Sequence, residues 1–286
     1  MRDDARSALL LTALFSVANL LGVAAGVRLY ASTAVQQAAA AYQSPASGAA
    51  IFAILVASTA ILLALYRWNK AALVKVWFGS ALVFTGFVLF DAFLPVTAAA
   101  AATLVFAVLR FRTDDLLLRN VLDTVPFAGA GALFGAVLGV QAVLVFAALL
   151  AVYDYIAVNR LGHMVTLAKE GAASDTLMGF QYPKSGDVSD AAVSDLSTGT
   201  ETGREGQRIG MLGGGDVVMP IVIAVSLIPL FGVGAAVSVV AGSAAALFVF
   251  LTVIQARESE QFYPAIPVVG SGAVLGLTLF LALSAL

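Results

Sequence analysis

Two aspartates stand inside apolar runs: Asp154, in Tyr153-Asp154-Tyr155 near the end of one, and Asp216, after Gly213-Gly214-Gly215 at the start of another. A carboxylate in a hydrophobic span is expensive in lipid and by default marks a functional site. Two carboxylates held in contact cannot both ionise comfortably, so they tend to share one proton. The ionised member can take a proton from a bound water while the protonated member donates to a scissile carbonyl. That is general acid–base hydrolysis, with no covalent intermediate, metal or cofactor required. A structural or ion-coordinating pair of acids explains the same two residues equally well at this point.

The elements that must bring these acids together are membrane helices. The chain has 286 residues, 61% of them hydrophobic and only 11% charged. Soluble domains carry about a quarter charged residues, so this composition belongs to an integral, multi-pass membrane protein, expected in the cell membrane. There is no basic stripe to hold nucleic acid, and the net charge is -2. Cysteine is absent, which removes disulfides, thiolate catalysis and cysteine–metal sites. The single histidine, His163, and the lack of a His-Glu-x-x-His motif leave no zinc protease site.

Apolar runs long enough to cross lipid give nine spans, at 8–27, 49–66, 71–90, 92–109, 121–138, 142–158, 210–230, 235–255 and 264–283. The first follows Arg2 and Arg6 as a secretory signal would, but about 20 residues is the length of a full span, so it is expected to be retained. With the N-terminus inside, 14 of the 15 Lys and Arg residues fall in inner segments or at inner span ends, and only Arg28 falls outside. The positive-inside rule therefore puts the N-terminus in the cytoplasm and the C-terminus outside. The expected fold is all-α and divides into a six-helix part over 1–160, a cytoplasmic connector over 161–209, and a three-helix part over 210–286. Within the connector, 187–208 reads as a flexible linker and 177–183 as a strand or a membrane-surface segment.

Asp154 lies six residues before Arg160, and Asp216 lies eight residues after Arg208. At about 1.5 Å per residue both carboxylates sit on the order of 10 Å beneath the inner surface, on adjacent spans. Gly213, Gly214 and Gly215 remove side chains beside Asp216, so a substrate backbone or the partner acid can approach closely. Pro264-Ala265-Ile266-Pro267 begins seven residues after Arg257, at similar depth. Its two prolines disfavour regular helix and leave neighbouring amides and carbonyls available.

The remaining polar residues have plainer readings. Asp91 and Asp123, at span ends, read as turn or cap residues. Lys75 can snorkel, Trp68 and Trp77 read as interface anchors or packing, and His163 as solvated or interfacial. Gly22 with Gly26, Gly131 with Gly135 and Gly139, and Gly272 with Gly276 have the small-xxx-small spacing of close helix packing.

Tyr153-Asp154 in the sixth span, Gly213-Gly214-Gly215-Asp216 in the seventh and Pro264-Ala265-Ile266 in the ninth resemble the Tyr-Asp, Gly-x-Gly-Asp and Pro-Ala-Leu motifs of presenilins and signal peptide peptidases. The resemblance covers essentially the whole chain and is to an archaeal or other microbial member, oriented as presenilins are. Gly214 stands where presenilins usually have leucine, and Ile266 replaces the leucine of the third motif. The resemblance implies an intramembrane aspartyl endopeptidase with Asp154 and Asp216 catalytic, Tyr153 and Gly213 to Gly215 in the active-site motifs, and Pro264, Ala265 and Ile266 positioning substrate. It also implies substrates that are transmembrane helices, cleaved after local unwinding, with the unwound segment pairing as a strand with connector residues or the third motif. The partners are then such substrates and the bilayer, the chain acting alone, as a homo-oligomer or as a subunit of a larger complex, as members of the family do. An ion channel or proton-coupled transporter also employs intramembrane acids, and a prepilin peptidase-like enzyme also has Gly-x-Gly-Asp. Neither accounts for Pro264-Ala265-Ile266.

Overall fold

A computed structural model describes residues 2–157, 176, 178–183, 209–255 and 265–285. Nine helices and one hairpin account for nearly all of them. They are α1 (Arg2–Leu29), α2 (Thr33–Ala41), α3 (Pro45–Arg67), α4 (Ala71–Asp91), α5 (Val96–Arg112), α6 (Leu116–Val137), α7 (Val140–Ile156), β1 (Gly179–Pro183), β2 (Ile209–Gly213), α8 (Gly214–Gln255) and α9 (Ile266–Ser284). Among the described residues, six stretches are long and apolar enough to cross a membrane: Ser7–Leu29, Pro45–Arg67, Ala71–Asp91, Leu116–Val137, Gly214–Val253 and Ile266–Ser284. α7 is apolar but shorter.

Local chemistry sets the helix ends. Ser44 caps α3 through its hydroxyl and Pro45 fills the first turn, where no amide is needed. Asp115 caps α6 by accepting from the Leu118 amide at 2.8 Å. The 42-residue α8 is broken at Gly232, whose φ of 76° and ψ of 179° only glycine adopts readily, so it is two rods joined at a kink. Pro229 cannot supply an amide to the Val225 carbonyl, and the Gly139 amide turns from Gly135 to bond Tyr42. The Tyr30 hydroxyl sits between these two freed carbonyls, 3.0 Å from Val225 and 3.2 Å from Gly135.

The first rod of α8 is the centre of the molecule. Ile221, Val222, Ala224 and Val225 are fully buried between α1 and α6. Gly22 of α1 and Gly131 of α6 close on Ile221, and Gly26 and Gly135 close on Val225 one turn later. A Cβ at Gly26 would lie 2.6 Å from Val225 Cγ1, and one at Gly135 2.6 Å from Val225 Cβ, so the small residues are what let three helices approach. Gly272 and Gly276 do the same between α9 and the second rod, against Gly242 and Ser238. α3, by contrast, buries only Gly48. Ile54, Val76, Leu104, Leu144 and Leu275 are among many large apolar side chains left exposed, an arrangement costly in water and natural against lipid tails.

Three expectations need correction. The fold is not purely helical, because β1 and β2 form an antiparallel pair with Gly179 opposite Gly213 and Pro183 opposite Ile209. Residues 210–213, expected to open the seventh span, are therefore strand, and the helix starts at Gly214. Asp123 is neither cap nor turn: it is buried in α6 and ion-paired with the fully buried Arg110 of α5. Each group leaves the other compensated, which is what allows two charges inside the bundle. His163, Lys169 and the 187–208 linker lie outside the described residues.

Candidate active site

Asp154 sits in the last turn of α7 and is 6% exposed. α9 begins opposite it. Ala265 is buried at the helix cap, Ile266 is the first helical residue and Pro267 the second. The first amides of a helix have no partner within it, and Pro267 has none at all. The Ile266 amide is directed at the Asp154 carboxylate. The third motif thus supplies a hydrogen-bond donor, and the positive end of a helix, to the first acid. Asp154 Oδ2 is buried and makes no hydrogen bond among the described residues.

Asp216 is the third residue of α8, and its Oδ2 accepts from the Gly213 amide at 3.2 Å. Its carboxylate lies close enough to Asp154 for the two charges to interact. Beside Asp216 is a cavity of about 510 Å³ between α7, the first rod of α8 and α9. Asp216 is at its wall with Val143, Ala147, Met219, Pro220, Ile266 and Pro267, and beyond Asp216 and Ser226 the lining side chains are apolar.

The hairpin is built onto Asp216. The Gly214 amide donates to the Met178 carbonyl at 3.2 Å, continuing the ladder by one pair. Antiparallel pairs alternate between bonded and non-bonded, so Phe180 with Leu212 is the next bonded pair. The backbone groups of Gly179, Gln181, Ile209, Met211 and Gly213 then point outward. Gly213 spends its outward amide on Asp216. Phe180, fully buried, meets Phe127 of α6 edge to face, 5.4 Å between centroids.

Of the residues singled out by sequence, Asp154, Asp216, Gly213 and Ile266 are brought to one place. Gly214 fits under the Phe127 ring, where a Cβ would lie 2.7 Å from Cε1, whereas Gly215 faces open space. Tyr153 packs edge to face on Phe52 of α3 at 5.9 Å, which fixes α7 against α3. Pro264 lies outside the described residues. Sequence reasoning missed Asn120, which bonds the β1 backbone, and the fully buried Asn19 of α1, which donates to Phe15 and reaches toward the Val217 carbonyl at 3.5 Å. Both are amides inside apolar helices, and that is the signal that would have found them.

The family described as signal-peptide peptidase, presenilin aspartyl protease matches residues 12–285. The chain belongs to that family. It is accordingly an aspartic-type endopeptidase and an integral, multi-pass membrane protein. Two solved structures of a presenilin family intramembrane aspartate protease, one in space group C222 and one in P2, are similar to it. The first is 25% identical with a TM-score of 0.62, covering 96% of this chain and 97% of the other. The second is 27% identical with a TM-score of 0.59, covering 94% and 96%. Among curated proteins none matches.

Proposed function

We propose that Asp154 and Asp216 form a catalytic dyad that shares one proton and hydrolyses peptide bonds within transmembrane helices of membrane-protein substrates. The observation that carries this is the proximity of two acids from neighbouring helices, one of which, Asp216, stands at the wall of an apolar cavity. One carboxylate takes a proton from water as the water oxygen attacks the scissile carbonyl carbon, and the other gives its proton to the carbonyl oxygen. Collapse of the resulting diol breaks the C–N bond, with the nitrogen taking up a proton and the new acid leaving as a carboxyl group. The Ile266 and Gly213 amides hold the two carboxylates in place. Tyr153, Gly214 and Gly215 complete the two motifs, and Pro264 and Ala265 shape the start of α9.

A peptide bond within a helix is poorly exposed to attack, and its freed backbone groups must be bonded again in lipid. The cavity accepts the apolar helix, and the outward backbone groups of Ile209 and Met211 offer a strand edge to the segment that unwinds. Counting the two rods of α8 separately, and α5 and α7 as spans, gives nine crossings with a cytoplasmic N-terminus and the C-terminus outside. In this reading 161–209 connects the 1–160 part to the 210–286 part, and the chain acts alone or as a homo-oligomer.

The test is to measure proteolysis and ion flux together in proteoliposomes loaded with a transmembrane peptide. Cleavage without flux is expected. Flux with no cleavage would make the chain a channel or transporter.

A further inference from the structure

Strand β1 has an outer edge as well as the one paired with β2, and a side chain covers it. Asn120 of α6, 1% exposed, donates from Nδ2 to the Gln181 carbonyl at 2.7 Å, and its Oδ1 accepts from the Gln181 amide at 3.0 Å. These are the two bonds that a residue on a third strand would make, because a carboxamide presents the same donor and acceptor as a peptide group. An amide inside an apolar helix is costly unless both of its ends are bonded, and here both are. Phe127, seven residues further along α6 and so on the same face, packs on the neighbouring Phe180.

We propose that Asn120 is a positioning residue: it stands in for a strand on the outer edge of β1, fixing the hairpin against α6 and leaving β2 as the edge on which an unwound substrate is laid. The inference rests on the dyad and strand-docking reading above. Its link to the chemistry is short. The hairpin carries Gly213, whose amide holds Asp216, so movement of the hairpin on α6 moves both the docking edge and the acid's donor. Asn120 therefore governs which peptide bond reaches the dyad. It is not among the residues lining the cavity.

The experiment compares the full-length protein with Asn120→Leu, which keeps the volume and removes both bonds, and Asn120→Asp, which keeps the acceptor alone. Cut positions in one transmembrane peptide are read by mass spectrometry, together with the thermal stability of each variant. The ratio of neighbouring to principal cut positions is internal to each reaction and does not depend on how much enzyme is folded. Asn120→Leu is expected to raise that ratio about tenfold, the effect of losing two ordinary hydrogen bonds, and Asn120→Asp by less. A parental ratio in both variants, at whatever rate, would overturn the assignment. Hydrogen exchange at the Gln181 amide of the parental protein reads the covered edge without any variant. Protection matching that of Phe180 is expected, and fast exchange at Gln181 alone would overturn the assignment too. Parental cleavage that survives Asp216→Asn would instead overturn the dyad reading, so the two failures are separate.

Discussion

At the scale of single residues, two pairs of ionisable groups in the described residues are held in different ways. Arg110 and Asp123 face each other with almost no exposure, so each is compensated by the other. Asp154 and Asp216 are two acids close enough to interact, and the groups that hold them are two backbone amides. The first arrangement is a structural fastening; the second, in the reading proposed above, is the pair that exchanges a proton with water. Asp123→Ala should accordingly cost about 3–5 kcal/mol of stability by stranding the Arg110 guanidinium. Denaturant unfolding in micelles checks this, and a loss under about 1 kcal/mol would show that the pair is not buried as described. The two kinds were unequally legible. Asp154 and Asp216 announced themselves because each stands in an apolar run, at matching depth on adjacent spans and beside a motif residue. Asp123 was misread because its partner lies 13 residues away on another helix, and its place near a span end suggested water.

At the scale of elements, the first rod of α8 is held by what its neighbours lack. Gly22 and Gly131 on Ile221, then Gly26 and Gly135 on Val225, make a two-tier clasp in the turns that follow Asp216. Gly131→Val should destabilise the bundle by about 1–3 kcal/mol, because its Cβ would lie 2.5 Å from that of Ile221 and the backbones would have to part. Gly215→Ala meets nothing within 4 Å and should leave stability unchanged or slightly raised. Thermal unfolding of the two variants side by side distinguishes them, and equal losses would contradict the clasp. The paired glycines were readable from their spacing alone, since close packing needs small residues at that interval. The hairpin was half readable. Residues around Phe180 suggested a strand, but Ile209 to Gly213 run without a break into an apolar helix, so nothing local separates strand from span. Tertiary contact decides it: β1, gripped by Asn120 and Phe127 of α6, templates the second strand.

At the scale of the whole molecule, the apolar exterior and the central rod describe a protein solvated by lipid on the outside and organised around a polar point within. The N-terminus of α9 reaches Asp154 and the hairpin reaches Asp216, at the head of the rod that the glycine clasp holds. Residues that act as one unit are grossly non-additive when removed, whereas independent contributors multiply. The decisive measurement is a kinetic cycle on a transmembrane peptide in proteoliposomes, with Asp154→Asn, Asp216→Asn and the double variant, each verified as folded. The account predicts that either single substitution abolishes cleavage and that the double variant is no worse than either. A folded variant with only one of the two aspartates that still cleaves the peptide would contradict it.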